Sequence, residues 1–283
     1  MENEEECRHM INGAENMGKY VFSIFTKPWK TMSVPELGQF VSGLGFDGIE
    51  FPLRPGYQLE PENAEKGLPE LAKQLGGYGV RITSVASELS ESVFAGCAGA
   101  GVPIIRIMIP IGEGGYLETE RRTIKELENA LPLCERYGVK IGIQPHYGEF
   151  VSNSMETLHI VENFDPKYIG AIWDAAHSGL AGEEPEQGLD IVWEHLCMVN
   201  FKTAFYRRAN GPESDCAVWE RHFTTGAHGM TSWPRAVKYL INRNYSGIIC
   251  LPAEYTDEAL SAKYIAQDMG YIKSLFQSGA SDV

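Results

Sequence analysis

Eight polar residues stand at or near the ends of short apolar runs: Glu50, Arg106, Gln144, His146, Asp174, Asn200, Lys202 and Glu254. A polar side chain turned into a dry interior costs several kcal/mol if it finds no partner. One such residue is usually a satisfied core group, and Arg106 by itself would serve simply to neutralise Glu50 or Asp174. Eight of them in comparable positions point to a shared polar rim. Besides Glu50, Asp174 and Glu254 are carboxylates, and these two can grip a cation if a common mouth brings them together.

The elements that would carry them alternate. Strand-like runs are expected at Tyr20–Thr26, Gly48–Pro52, Arg81–Ser87, Ile104–Pro110, Lys140–His146, Ile169–Asp174, Met198–Thr203 and Gly247–Tyr255. Helical patterns lie between them, among them Val34–Leu44, Glu62–Gly76, Glu118–Arg136, Met155–Asn163, Gln187–Leu196 and Pro234–Asn242, and a last one runs from about Ala259 to Phe276. Strands separated by helices imply right-handed crossovers and a parallel sheet. No glycine fingerprint follows the first strand, so a dinucleotide-binding open sheet has little support. The expected fold is a closed (β/α)8 TIM barrel. Residues 1–18 read as an extended or disordered lead-in and 19–283 as one barrel domain. Side chains alternate across a strand, so Ile141, Ile143, Ile249, Leu251 and Ala253 should face the helices. Gln144, His146, Cys250 and Glu254 should then face the barrel, with their chemistry at its C-terminal mouth.

Composition narrows the function classes. The 283 residues carry 24 basic and 38 acidic side chains, a formal net charge of −14. That field repels phosphate backbones and anionic lipid, so neither nucleic acid nor membrane is an expected partner. Lys202, Arg207 and Arg208 are the candidates for a local basic funnel. The six cysteines have no CxxC spacing, which speaks against a zinc ribbon or a disulfide framework. The acidic MENEEECRHM start is unlike a secretory signal, and a cytoplasmic location is expected.

Several segments together resemble the sugar phosphate isomerase/epimerase family of xylose isomerase-like barrels. They are Gly45-Phe46-Asp47-Gly48-Ile49-Glu50, Ile143-Gln144-Pro145-His146, Trp173-Asp174-Ala175-Ala176-His177 and Val199-Asn200-Phe201-Lys202, followed by Gly226 to Trp233 and Gly247 to Glu254. The resemblance implies a divalent metal, manganese or magnesium before zinc, held at the positions of Gln144, Asp174, Asn200 and Glu254. The family places Glu and His where this chain has Gln144 and Asn200. An amide is a neutral ligand, so the set holds fewer charges than the family's, and the expected metal ligands are Asp174, Glu254 and Gln144.

What the resemblance implies for chemistry is metal-assisted proton abstraction α to a carbonyl, in an isomerase or epimerase acting on a sugar or sugar phosphate. Glu254, His177, His146 and Lys202 are the expected catalytic residues, and Glu50, Arg106, Asn200, Arg207 and Arg208 the expected substrate contacts. Gln144 has no titratable proton and cannot be one of two bases. A second base would come from His146, His177 or Glu149. Two rival readings stand beside this one: a dehydratase or lyase on a keto-sugar or inosose, and a non-catalytic sugar-binding barrel with a degraded metal site. An apurinic endonuclease relative is disfavoured, because that chemistry wants a histidine-rich zinc cluster and a basic surface. A small sugar or sugar derivative is the expected partner, and a homodimer stays open as an assembly.

Overall fold

A computed structural model describes residues 19–279; the expected lead-in over residues 1–18, with Cys7, lies outside them. The barrel strands are β1 (Tyr20–Phe25), β2 (Gly48–Pro52), β3 (Arg81–Ala86), β4 (Ile104–Ile107), β5 (Lys140–Ile143), β6 (Ile169–Asp174), β7 (Leu196–Asn200) and, after a hairpin of β8 (Thr203–Arg208) and β9 (Trp219–Thr224), β10 (Gly247–Leu251). The eight close in the order β1-β10-β7-β6-β5-β4-β3-β2, every ladder between them parallel. The helices are α1 (Val34–Gly43), α2 (Ala64–Gly76), α3 (Glu91–Ala100), α4 (Tyr116–Tyr137), α5 (Ser154–Val161), α6 (Ala175–Leu180), α7 (Pro185–Val192), α8 (Trp233–Asn242) and α9 (Ser261–Gln277).

Alternation along the strands sorts the apolar side chains into two layers. Ile24, Ile49, Val85, Ile105, Ile141, Ile143, Val199, Ile249 and Leu251 pack outward against the helices. Phe25, Ala86, Ile104, Ile172, Met198, Ile248 and Cys250 fill the barrel itself. The interior is tight: a Cβ at Gly142 would lie 2.8 Å from Cδ1 of Ile172, so a larger residue there would have to displace that side chain. Above this plug the interior turns polar, and the candidate site begins.

Several strands are shorter than their sequence pattern. The patterns reaching Pro110, His146, Thr203 and Tyr255 end as ladders at Ile107, Ile143, Asn200 and Leu251. Beyond Leu251 the backbone bends, and Ala253 adopts a left-handed φ of 49° that a side chain seldom takes. Helix α3 carries no clear apolar stripe, since its sequence is rich in Ala and Gly. Those small residues serve close packing on α2, where a Cβ at Gly96 would come 2.3 Å from the Ala64 carbonyl oxygen. The hairpin of β8 and β9 interrupts the expected strand–helix rhythm between β7 and α8. Among the described residues no helix is long and apolar enough to cross a membrane.

One buried carboxylate ties the mouth together from outside. Asp268, on α9, accepts from the Gly226 amide at 2.8 Å and from the Tyr255 hydroxyl at 2.8 Å. It thereby anchors the turn after β9 and the residue that follows Glu254. Burial pushes its pKa up to about 6, against the lowering effect of both donors. Replacing Asp268 with Ala strands a buried N–H and a hydroxyl. The expected loss is about 1–3 kcal/mol, read from the urea-unfolding midpoint; an unchanged midpoint would show that the two turns hold without it.

Candidate functional site

The polar rim is a chain of hydrogen bonds crossing the strand ends. Glu50, on β2, accepts from Arg106 Nε on β4 at 2.6 Å, and Ser84 of β3 lies 3.3 Å from the same carboxylate oxygen. Arg106 also donates through Nη1 to the Gln144 side-chain oxygen at 2.6 Å. The amide nitrogen of Gln144 then donates to Asp174 Oδ2 at 2.7 Å. Asp174 closes β6 and caps α6, its Oδ1 accepting from the Ala176 and His177 amides at 3.0 and 3.1 Å. Asn200, opposite it at the end of β7, turns its amide nitrogen to Oδ2 at 3.4 Å. Glu50, Arg106, Gln144, Asp174 and Asn200 are all buried.

Lys202 continues the chain. Just beyond β7, it is 6% exposed and donates to Glu254 Oε2 at 2.9 Å, with Asp174 Oδ2 at 3.7 Å. Burial works against its ammonium, but Asp174 and Glu254 outweigh that and push its pKa up. The other Glu254 oxygen accepts from Lys27, which follows β1. Burial alone would raise the Glu254 carboxyl, yet Lys202 and Lys27 together hold it well below the usual carboxylate range.

Of these, Lys27, Glu50, Arg106, Gln144, Asn200, Lys202 and Glu254 line a narrow cavity of about 40 Å³ with Phe25, Arg54, Met108, His146 and Pro252, whereas Asp174 stands outside its wall. A larger chamber of about 480 Å³ shares Arg54, Arg106 and Met108 in its wall. A basic funnel is therefore present; of the residues the sequence suggested it contains Lys202 but neither Arg207 nor Arg208. Lys27, Arg54, Arg106 and Lys202 line it, against the carboxylates of Glu50 and Glu254.

Arg207 and Arg208, expected as substrate contacts, belong to the exposed hairpin and not to the cavity wall. Arg207 pairs with Glu220 at 3.3 Å and Arg208 bonds Asn210 at 3.1 Å. On a two-stranded hairpin the direction of a side chain depends on how the hairpin leaves the barrel, which residue type does not report. Lys27 and Arg54 were missed because they lie past strand ends, Lys27 at the start of a single 3-10 turn and Arg54 in a loop, outside any periodic pattern. Glu149 does not line the cavity either.

His146 and His177 share an aromatic cluster, ring centroids 4.5 Å apart, with Tyr147 against both and Phe223 of the hairpin facing His177. His146 reaches the cavity wall, whereas His177, expected as a catalytic residue, does not line it. The Tyr147 amide donates to His177 Nδ1 at 3.3 Å, which leaves the ring proton on Nε2, 4.0 Å from Asp174 Oδ2. Burial and the Lys202 charge lower His146 to about 4, and the same causes place His177 well below its ordinary value.

The donor set does not fit the divalent cation that the resemblance implies. Such a cation needs oxygen lone pairs aimed at one point. Here Gln144 gives its oxygen to Arg106 and its N–H to Asp174, and both Glu254 oxygens face ammonium groups. Among the described residues no three His, Cys, Asp or Glu side chains converge as a metal-binding group.

A pH dependence of stability follows from the histidines. In the folded protein both favour the neutral ring, while an unfolded histidine titrates near 6.5. As pH falls, the unfolded chain takes up protons first, so stability present above about 6.5 is lost toward about 4. The urea midpoint of the wild type should drop between about pH 7 and about pH 5 by more than that of His146→Gln. Equal drops would remove His146 as a source.

Known proteins share this architecture. A family model described as xylose isomerase-like TIM barrel matches residues 39–275. An inosose dehydratase of Lactiplantibacillus plantarum is 24% identical over 148 residues, 50% of this chain and 49% of that protein. The chain thus spans about half the length of the curated relatives it matches. A probable 3-DHS dehydratase from Bacillus anthracis superposes with a TM-score of 0.67 at 13% identity, covering 89% of this chain and 98% of the other. A D-psicose 3-epimerase from Clostridium cellulolyticum H10 gives 0.67 at 13% identity, covering 90% and 99%. With its closed eight-stranded barrel and a family match over most of its length, the chain belongs to the xylose isomerase-like TIM barrel family.

Proposed function

We propose that this barrel transfers a proton at the carbon next to a carbonyl in a small polyhydroxylated keto compound, as an isomerase or epimerase does. The observation that carries the reading is a carboxylate, Glu254, reaching into a cavity walled by Lys27, Arg54, Arg106 and Lys202. Removing that proton leaves an enediolate whose negative charge spreads onto oxygen. Cations already fixed around the oxygen lower the cost of that charge without having to reorganise.

Glu254 is ionised and faces the cavity, so it is the candidate proton acceptor. Its resting pairs with Lys27 and Lys202 make it a weak base. A substrate oxygen that draws either ammonium away removes a neutralising charge and strengthens it. His146, neutral and on the same cavity wall, is the candidate second proton carrier. The narrow cavity holds little more than a water. A sugar-sized ligand would place its carbonyl end there and its remaining hydroxyls in the adjoining chamber of about 480 Å³.

Dehydration is the second reading, favoured by the curated relatives, which are named inosose dehydratases. It uses the same enolate, from which a β-hydroxyl leaves as water instead of the proton being returned. A panel of keto-sugars and inososes incubated in D2O separates the outcomes. Deuterium uptake at carbon with no loss of water marks isomerisation or epimerisation, loss of one water marks elimination, and binding without either leaves a sugar-binding barrel. Glu254→Gln should keep its fold and lose about 10²–10⁴-fold in exchange. Full exchange in that variant would remove Glu254 from the mechanism.

A further inference from the structure

We propose that the Lys202 ammonium stands where a divalent cation would otherwise be held, and that this barrel polarises its substrate's carbonyl with a lysine and no metal. The catalytic half of this inference rests on the proton-transfer reading above; the metal half does not.

Three observations lead to it. First, the position: β7 lies between β6 and β10 in the barrel. Lys202, leaving the end of β7, carries its ammonium between the Asp174 carboxylate of β6 and the Glu254 carboxylate beyond β10, 3.7 and 2.9 Å away. Glu50, the other carboxylate of this mouth, is taken by Arg106, and between Asp174 and Glu254 lies a covalently attached cation.

Second, the charge. Asp174 and Glu254 contribute two negative charges, and Lys202 and Lys27 two positive ones. The neighbouring side chains, Gln144 and Asn200, are neutral and turn N–H groups toward Asp174. A divalent ion added there would meet a balanced set and the repulsion of a buried ammonium. Had Gln144 been a carboxylate, the balance would leave a charge for a metal to neutralise. The neutral amides and the lysine are thus one coherent solution.

Third, the free valence. An ammonium has three N–H donors, and the hydrogen bond Lys202 makes among the described residues goes to Glu254. Lys202 lines the cavity, so its remaining N–H groups can meet a ligand oxygen there. In the proposed step the α C–H bond breaks and its proton passes to Glu254. The bonding pair forms the C=C bond, and the carbonyl oxygen takes the negative charge against Lys202 Nζ. Returning the proton to carbon restores both groups, with no redox partner.

The test uses the full-length protein. Mn²⁺ titration followed by electron paramagnetic resonance should show no stoichiometric site, and solvent-deuterium exchange into substrate should persist in EDTA. Lys202→Met should lower kcat for exchange about 10²–10³-fold with a smaller change in KM, and Lys202→Arg should restore part of it. One equivalent of Mn²⁺ bound by the wild type and lost in Asp174→Asn would overturn the proposal. So would unimpaired exchange in a folded Lys202→Met. If no keto compound is turned over, the proton-transfer reading fails, and the Mn²⁺ titration on the protein alone still decides the metal question. Should Lys202→Met not fold, the wild-type titration and Lys202→Arg carry the decision.

Discussion

Buried charge has to be answered by buried charge, and at the mouth of this barrel that requirement runs from strand to strand. Glu50 and Arg106 satisfy each other on β2 and β4, Gln144 passes the chain across β5, and Asp174, Lys202 and Glu254 complete it. A charge left alone in such a place costs several kcal/mol, so no member can change without unsettling its neighbours. The direction of the chain also decides what each group can do. Because Arg106 claims the Gln144 oxygen, the amide presents N–H to Asp174, and a side chain that would have been a ligand becomes a donor.

The same requirement explains how a chain of net charge −14 keeps a cation-lined cavity. Acidic residues are spread over its exterior, while Lys27, Arg54, Arg106 and Lys202 meet where the low-dielectric wall screens them least from a ligand. The aromatic cluster of His146, Tyr147, His177 and Phe223 meets the cavity wall through His146. It keeps both histidines neutral, so Lys202 has no imidazolium competing with it for the carboxylates. Asp268 holds the adjacent turns, and the left-handed Ala253 bends the chain just before Glu254.

Membership of a barrel family speaks to the scaffold, and the chemistry is a matter of which side chains stand at the strand ends. The two solved structures compared above superpose at 13% identity, enough for a common fold and silent about the site. In this chain the strand ends carry neutral amides beside Asp174 and an ammonium between two carboxylates.

The alternation of β-rich runs and amphipathic helices was sufficient for the closed barrel, and period-two patterning sorted Ile141, Ile143, Ile249 and Leu251 from Cys250, because outward and inward faces differ in what they must bury. The gathering of Glu50, Arg106, Gln144, Asp174, Asn200, Lys202 and Glu254 was legible for the same reason: each sits at a countable distance from a strand. Arg207, Arg208, Lys27 and Arg54 were not legible, since they sit in a hairpin or loops whose course depends on contacts distant in sequence. Nor could residue types say which way the Gln144 amide turns or where the Lys202 ammonium comes to rest. Those are settled only when the strand ends are brought within a few ångströms and neighbouring donors and acceptors have to be matched.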